Sequence, residues 1–400
     1  MKSAYNPLVG SILLIIGTSV GGGILALPLV VSGLNLFVVL GLLVSIWFVM
    51  TLSALYIVEL TAHSAEKANL ITLAKSTLGK PGVTLTWLSY LLLLYTLISS
   101  YLMAGSDLVS GLLQRIAVHS PIWLNTTLFL IFFLAIFYHG IRHIDWANRI
   151  FMILKFTSFF LLLVFLIPNA SLQNLNFQEN SINPVSTIMP IALSFGFALI
   201  VPSLHTYLKS YHQLKWATLI GSIFPIVIYF LWILDIHANL NHRELTEIIQ
   251  STPMISQFSQ AIDTKLQGPV ASFVLHLFFS ICITTSFLGV SLSFIDFLTD
   301  GFKLKTKKTD THVPIYALIL AFAPPFLIVL LNPNIFITTL KFAGTLCVIL
   351  LILLPTLMIW RACHIKSLIK NKPFYCHGFF FSLNIITAIF LLYLASQDFL

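Results

Sequence analysis

Charge is scarce in this sequence. Asp, Glu, Lys and Arg make up 8% of its 400 residues, against about 25% in soluble globular chains. Hydrophobic residues reach 58%, and no packed core hides that much apolar surface behind so thin a polar skin, whereas a bilayer does. The composition excludes a disordered chain, a collagen and an ordinary soluble enzyme. Cysteine is scarce too. Cys282, Cys347, Cys363 and Cys376 form no C-x-x-C pair, which argues against a disulfide framework. There is no G-x-x-x-x-G-K-[ST] phosphate loop and no soluble segment large enough for an ATPase, so primary active transport by this chain alone is excluded.

What is present is a series of long apolar runs without period-2 alternation, which disfavours a β-barrel. A helix needs about 20 mostly apolar residues to cross the hydrocarbon. Eleven segments qualify: 8–31, 36–60, 84–113, 122–139, 149–167, 187–208, 216–236, 271–297, 313–331, 335–360 and 377–396. The first is too long for a signal peptide and is read as retained. With the N-terminus inside, 17 Lys and Arg fall on the inner side, 3 on the outer (Arg115, Arg243, Lys265), and Lys341 lies within a span. A missed helix would scramble that sorting downstream, so count and orientation support each other. The expected topology has a cytoplasmic N-terminus and an outer C-terminus. The net charge of +8 is therefore mostly topological, and no nucleic-acid partner is expected.

Two loops carry structure of their own. Residues 64–80 read as a short amphipathic helix with a Gly/Pro stop. The longest outer loop, 237–270, contains Asn241-His242-Arg243-Glu244 at capping-box spacing, and reads as a solvated connector or as a cap over a pathway.

Two spans look interrupted. The first contains Gly21-Gly22-Gly23 followed by Pro28, and each glycine costs a helix roughly 1 kcal/mol against Ala. The sixth runs Pro190 to Pro202 around Gly196. A span that breaks in lipid must line a cavity. Small residues also serve close helix packing, but first and sixth are corresponding positions in two five-helix halves, the pattern of an inverted-repeat transporter with a midplane site. The expected fold is an all-α integral membrane protein of eleven transmembrane helices in a 5+5 inverted repeat. Its first repeat is 1–167, its second 187–360, and 377–396 is an added C-terminal helix. Free N–H groups after a break suit a carboxylate and free carbonyls before it suit an ammonium. An amino acid carries both. Gly22 and Gly23 are the carboxylate side, and Ser19, Phe195 and Gly196 the amine side, with Phe195 and Phe197 towards the substrate side chain; Gly21 completes the expected substrate-binding set.

The chain resembles the aromatic amino acid permeases, the tyrosine- and tryptophan-specific transporters within the amino acid/polyamine group of leucine-transporter fold. The matching residues are Gly17-Thr18, Gly21, Gly23, Leu25, Ala26 and Pro28; Ser194-Phe195-Gly196-Phe197 with Val201-Pro202-Ser203; and Thr285-Ser286-Phe287-Leu288-Gly289-Val290 followed by Asp296. Ala198-Leu199-Ile200 departs from the family, which often has a His and small residues there. The resemblance implies import of an aromatic amino acid with protons by alternating access. It also gives Lys155, in span five, a role: in some proton-coupled relatives a lysine here replaces a sodium ion between spans one and eight. It would bond carbonyls near Ser19 and the hydroxyls of Thr284 or Thr285.

Ionisable groups inside a bilayer are functional candidates by default. The alternative for Lys155 is snorkelling to the inner surface, which would leave those oxygens for sodium. Asp107 and Lys341 would form an outer gate pair or reach water separately. Asp296 and Asp300 close span eight, as an inner gate to Lys2 or as solvated carboxylates. Asp235 is read as solvated, and His139 and His276 as packed or interfacial. Cys363-His364 and Cys376-His377 sit by an inner loop and could be arranged as a metal site, but spacing alone is poor evidence, and no metal is expected. A membrane enzyme would need acids and histidines clustered at one depth; here they are scattered. The expectation is a symporter of tyrosine or tryptophan in a bacterial inner membrane, with no cofactor beyond a proton gradient. Sodium coupling or another neutral amino acid is the alternative. The expected partners are the amino acid and the lipid bilayer; oligomeric state is left open.

Overall fold

The computed structural model describes residues 7–64, 68–115, 117–118, 120–139, 142–175, 185–208, 210–301, 315–332, 335–365, 369 and 373–399. Among them there is no strand. The first interrupted segment is two helices, α1 (Pro7–Ser19) and α2 (Gly23–Val30), bent by 50°. Then come α3 (Leu36–Ala62), the short α4 (Leu70–Thr77), α5 (Lys80–Arg115), α6 (Ile122–His139) and α7 (Arg142–Leu166). The second interrupted segment is α8 (Val185–Ser194) and α9 (Val201–Leu208), followed by α10 (Tyr211–Asn239). Two short helices, α11 (His242–Gln250) and α12 (Met254–Asp263), precede α13 (Pro269–Gly301) and α14 (Ile315–Leu331). The chain closes with α15 (Ile335–Val348), α16 (Leu354–His364) and α17 (Gly378–Phe399).

Among the described residues, eight helical spans are long and apolar enough to cross a membrane, and the α1/α2 pair qualifies as a ninth. Within α6 and in α14 there are shorter apolar stretches, Ile122–Ile136 and Ile315–Leu331. Phe37, Ile153, Val164 and Phe273 point outward, as a lipid-facing surface requires. Hydroxyls inside the spans turn back on their own helices. Thr61 donates to the Ile57 carbonyl at 2.6 Å, and Thr356 to Ile352 at 2.7 Å, since hydrocarbon offers no other acceptor.

The two interruptions differ in kind. The sixth span is not a bent pair: a 3₁₀ turn from Gly196 to Ile200 joins α8 to α9, and Thr187–His205 still qualifies as one span. The tighter winding breaks the i−4 ladder within a single span. A third irregularity, absent from the sequence reading, is a π-helical segment at Ile349–Leu353 between α15 and α16.

The expected inner helix is shorter than 64–80. It is α4, started by a capping box of Asn69 and Thr72 and ended at Gly79 with φ of +76°; residues 65–67 lie outside the described residues. The outer loop has its capping box as expected, with Asn241 accepting from the Glu244 N–H at 2.9 Å. Three carbonyls around the end of α2 are tied to other elements. His237 bonds Pro28 at 2.9 Å, Thr187 bonds Val30 at 2.9 Å and His242 bonds Ser32 at 2.8 Å. The end of the helix leaves these oxygens short of helical donors.

Helix α15 packs on α5 and α8, α1 on α10, and α13 on α7. The α15–α8 crossing is tight: a Cβ added at Gly344 would lie 2.0 Å from the Met189 carbonyl oxygen. A backbone atom cannot step aside as a side chain can. Gly344→Val is therefore expected to cost more than the about 1–3 kcal/mol of ordinary overpacking, and to lower the yield of monodisperse protein on size exclusion. Gly289→Ala, with open space around its Cβ, leaves that yield unchanged.

Candidate functional site

The break in the first span is a tight turn. Gly21 N–H donates to the Ser19 carbonyl at 2.9 Å, and Ile24 and Leu25 restart the ladder on Gly21 and Gly22 at 3.2 Å each. Gly22 has ordinary right-handed dihedrals, φ −62° and ψ −21°. The glycines are needed for space rather than for backbone freedom. A Cβ on Gly22 would fall 2.7 Å from the Tyr101 ring, and one on Gly21 2.7 Å from Ser286 Oγ. Gly23 is roomier, at 3.5 Å from Ser194 Oγ, and that contact brings the two interrupted spans together.

The freed carbonyls are met by two side chains. Lys155 Nζ, on α7, donates to the Val20 carbonyl at 2.5 Å and to Gly17 at 3.4 Å. Lys155 is 1% exposed, so it does not snorkel. Tyr229 Oη, on α10, lies 2.7 Å from the Ser19 carbonyl and 2.7 Å from the Ser194 carbonyl. These close the last turns of α1 and α8. A tyrosine hydroxyl carries one proton, so two acceptors share one donor, and an added ammonium would find an acceptor there. On the N–H side, Gly22 donates to Ser286 Oγ of α13 at 2.6 Å. Gly23 N–H, the first of α2, has no acceptor among the described residues. Carbonyl ends and amide ends thus lie within a few residues, the arrangement that a zwitterion matches.

Other expected residues fall differently. Phe195 and Phe197 are buried, and Phe195 packs edge-on against Tyr229 with centroids 5.3 Å apart, so it braces the bridging hydroxyl. Gly196 begins the 3₁₀ turn. Neither threonine of α13 reaches Lys155. Thr285 donates to its own helix, at Ile281, at 2.8 Å, and half-buried Thr284 makes no hydrogen bond to the lysine. The residue of α13 that reaches the break is Ser286.

Asp107 and Lys341 are not an ion pair. Asp107 is 2% exposed and accepts from Ile255 N–H at 3.0 Å, at the start of α12. The helix amides take the place expected for the lysine, which is half-buried on α15. Asp296 is exposed near the end of α13 and close to Tyr90. Lys2 lies outside the described residues, as do the side chains of Asp300 and His139. Asp235 is half-buried rather than solvated, with Oδ2 enclosed and lacking a hydrogen bond. His276 contacts Ser259 at 3.2 Å and Asp263 at 3.4 Å on α12.

Tyr229, Tyr101 and Glu59 were missed by the sequence reading. Glu59 is buried on α3, where one carboxylate oxygen accepts from both Tyr211 and Tyr375. Burial, then the Glu59 contact, pushes the Tyr375 hydroxyl well above the ordinary phenol range, so it remains a donor. A carboxylate inside the apolar run 36–60, one residue from its end, was the available signal for Glu59. No local pattern marks Tyr229.

The chain matches the tryptophan/tyrosine permease family over residues 4–395. It belongs to that family. This makes the permease a membrane transporter rather than an enzyme. It is 33% identical over 365 residues to tyrosine-specific transport system 2 of Haemophilus influenzae, covering 89% of this chain and 88% of that protein. It is 28% identical over 358 residues to glutamine transporter 2 of Aliivibrio fischeri, covering 88% of each. In fold it is similar to the manganese transporter of Eremococcus coleocola, with a TM-score of 0.59 at 12% identity, covering 97% of the permease and 85% of that chain.

Two substitutions test the break. Gly22→Ala must displace Tyr101 and is expected to lower substrate uptake at least tenfold, while Gly23→Ala, in ordinary contact, retains most of it. Tyr229→Phe leaves two buried carbonyls without their donor, at about 1–3 kcal/mol. Uptake kinetics are expected to show a roughly tenfold loss in kcat/KM with normal protein levels in the membrane.

Proposed function

We propose that the permease is a secondary active symporter that imports an aromatic amino acid, tyrosine or tryptophan, together with protons by alternating access. The observation that carries this is Lys155, a buried cationic side chain donating to the carbonyls at the broken end of α1. A fixed cation at the break does what a bound metal ion would do there, and it exchanges a proton instead. Protonated, it holds α1 by charge-assisted bonds, roughly twice as strong as neutral ones. Deprotonated, it loses that hold, and α1 is freed to move. The substrate ammonium joins Tyr229 at the Ser19 and Ser194 carbonyls. Its carboxylate takes the Gly23 N–H and competes with Ser286 for Gly22.

The wider arrangement belongs to the same reading. In it α6 and α14 also cross, giving eleven spans, and residues 1–167 and 187–360 are inverted repeats with α17 added. The membrane is a bacterial inner membrane, with the N-terminus cytoplasmic and the C-terminus outside, an orientation that the distribution of Lys and Arg supports. The named tyrosine-specific relative supports an aromatic substrate. A second reading, another neutral amino acid with proton or sodium coupling, is favoured by the glutamine transporter relative and by the apolar Ala198-Leu199-Ile200.

The test is uptake of labelled tyrosine and tryptophan into proteoliposomes under an imposed pH gradient without sodium. Uptake should follow the gradient in the unaltered permease and fall to background in Lys155→Ala. Sodium-dependent uptake would overturn the proton reading. Competition by glutamine, but not by tyrosine, would overturn the substrate.

A further inference from the structure

Two cavities lie where α5 meets the α11–α12 segment, and of the described residues only Asp107 lines both. The first, of about 210 Å³, has walls of Met103, Ile249, Met254, Phe336 and Ile337, with Thr338 at its edge. The second, of about 320 Å³, is polar, lined by Ser106, Ser110, Gln114 and Asn125 among others. Asp107 is almost wholly buried between them, and its partners are backbone amides at the start of α12. No cation among the described residues lies within ion-pair reach of it. A carboxylate has about four lone-pair sites, and the helix amides do not exhaust them.

The first cavity stands over the closed centre. Asp107 is six residues beyond Tyr101 on α5, about 9 Å at 1.5 Å per residue, and Tyr101 covers Gly22. At the level of Tyr101, Ser100 donates to Thr339 at 2.5 Å, tying α5 to α15 one residue past Thr338. The cavity, lined by Met103 and Asp107, therefore begins beyond this tie on α5.

We infer that the first cavity is a recognition site for a primary ammonium group bearing an aromatic or apolar tail, with Asp107 as its anion. The ammonium sits against the carboxylate oxygens left by α12, and the tail lies over Met103, Phe336 and Ile337. Thioether and ring surfaces suit an aromatic guest. The amide donors at this site, Met254 and Ile255, are taken by Asp107 itself, so it reads the amine and the side chain without the carboxylate. This rests on the transport reading above, in which the same end of the bundle faces outward and the cavity is the vestibule a substrate reaches first.

The probe is tyramine, an aromatic amine without a carboxylate, in equilibrium binding to purified permease in nanodiscs. Binding to the unaltered protein is expected, with at least a tenfold loss of affinity in Asp107→Asn. That variant keeps an oxygen to accept from Ile255 and removes only the charge. Thr338→Trp, from an exposed position, fills the cavity and should lose binding equally. It decides the matter if Asp107→Asn fails to fold by size exclusion. Gly22→Ala, at the centre, should bind tyramine normally. Absence of binding to the unaltered permease overturns the inference. So does full binding by Asp107→Asn, or loss in Gly22→Ala alone. Uptake measured on the same preparation separates the two claims: Asp107-dependent tyramine binding without aromatic uptake sinks the substrate reading and leaves the site.

Discussion

A backbone carbonyl in hydrocarbon has no water to turn to, so a span that breaks must borrow partners from its neighbours. The first span breaks at Ser19 and Gly23, and three helices lend side chains to the break. Lys155 comes from α7, Tyr229 from α10 and Ser286 from α13. Each contact fixes where one long helix stands relative to α1 and α2. Removing any one leaves a polar group stranded at a cost of about 1–3 kcal/mol, more where the lost partner is charged.

The same shortage organises the far end of α2. Its last carbonyls are held by Thr187 of α8, His237 of α10 and His242 of α11. Both ends of a helix of 8 residues are therefore pinned by side chains in addition to its own ladder. A short helix fastened this way moves by exchanging partners, whereas a continuous span would have to unwind. Tyr229 is central because its single proton serves α1 and α8 at once, coupling the two interrupted spans through one hydroxyl. The short segments α11 and α12 close over this region, anchored by Asp107 and by the contacts of His276.

The fold is shared with a solved transporter at only 12% identity. Many apolar side chains fill a lipid-facing surface equally well, so identity drifts. The places where backbone must leave the helix are few, and the partners that rescue it must arrive from fixed directions. Fold then outlasts sequence.

The bilayer makes part of this protein legible by inspection. Apolar runs mark spans because in lipid only a helix satisfies its own backbone. Asn241 and Glu244 mark a helix start because capping is local. Gly21 to Gly23 mark a break because three glycines are a poor continuous helix. Family membership follows from such local patterns taken together. What sequence spacing leaves open is who meets whom across helices. Lys155 reads equally well as a snorkelling residue or as a buried ligand, and only the packing of α7 against α13 and α1 buries it. Asp107 looks available to Lys341 until the start of α12 reaches it first. Thr285 and Ser286 are adjacent in the chain, but rotation by 100° per residue turns one hydroxyl to its own helix and the other to Gly22. Glu59 and Tyr229 find partners more than a hundred residues away. The sequence determines where the backbone needs help; the tertiary structure decides which side chain supplies it, because that depends on helix rotation and depth, which no local pattern encodes.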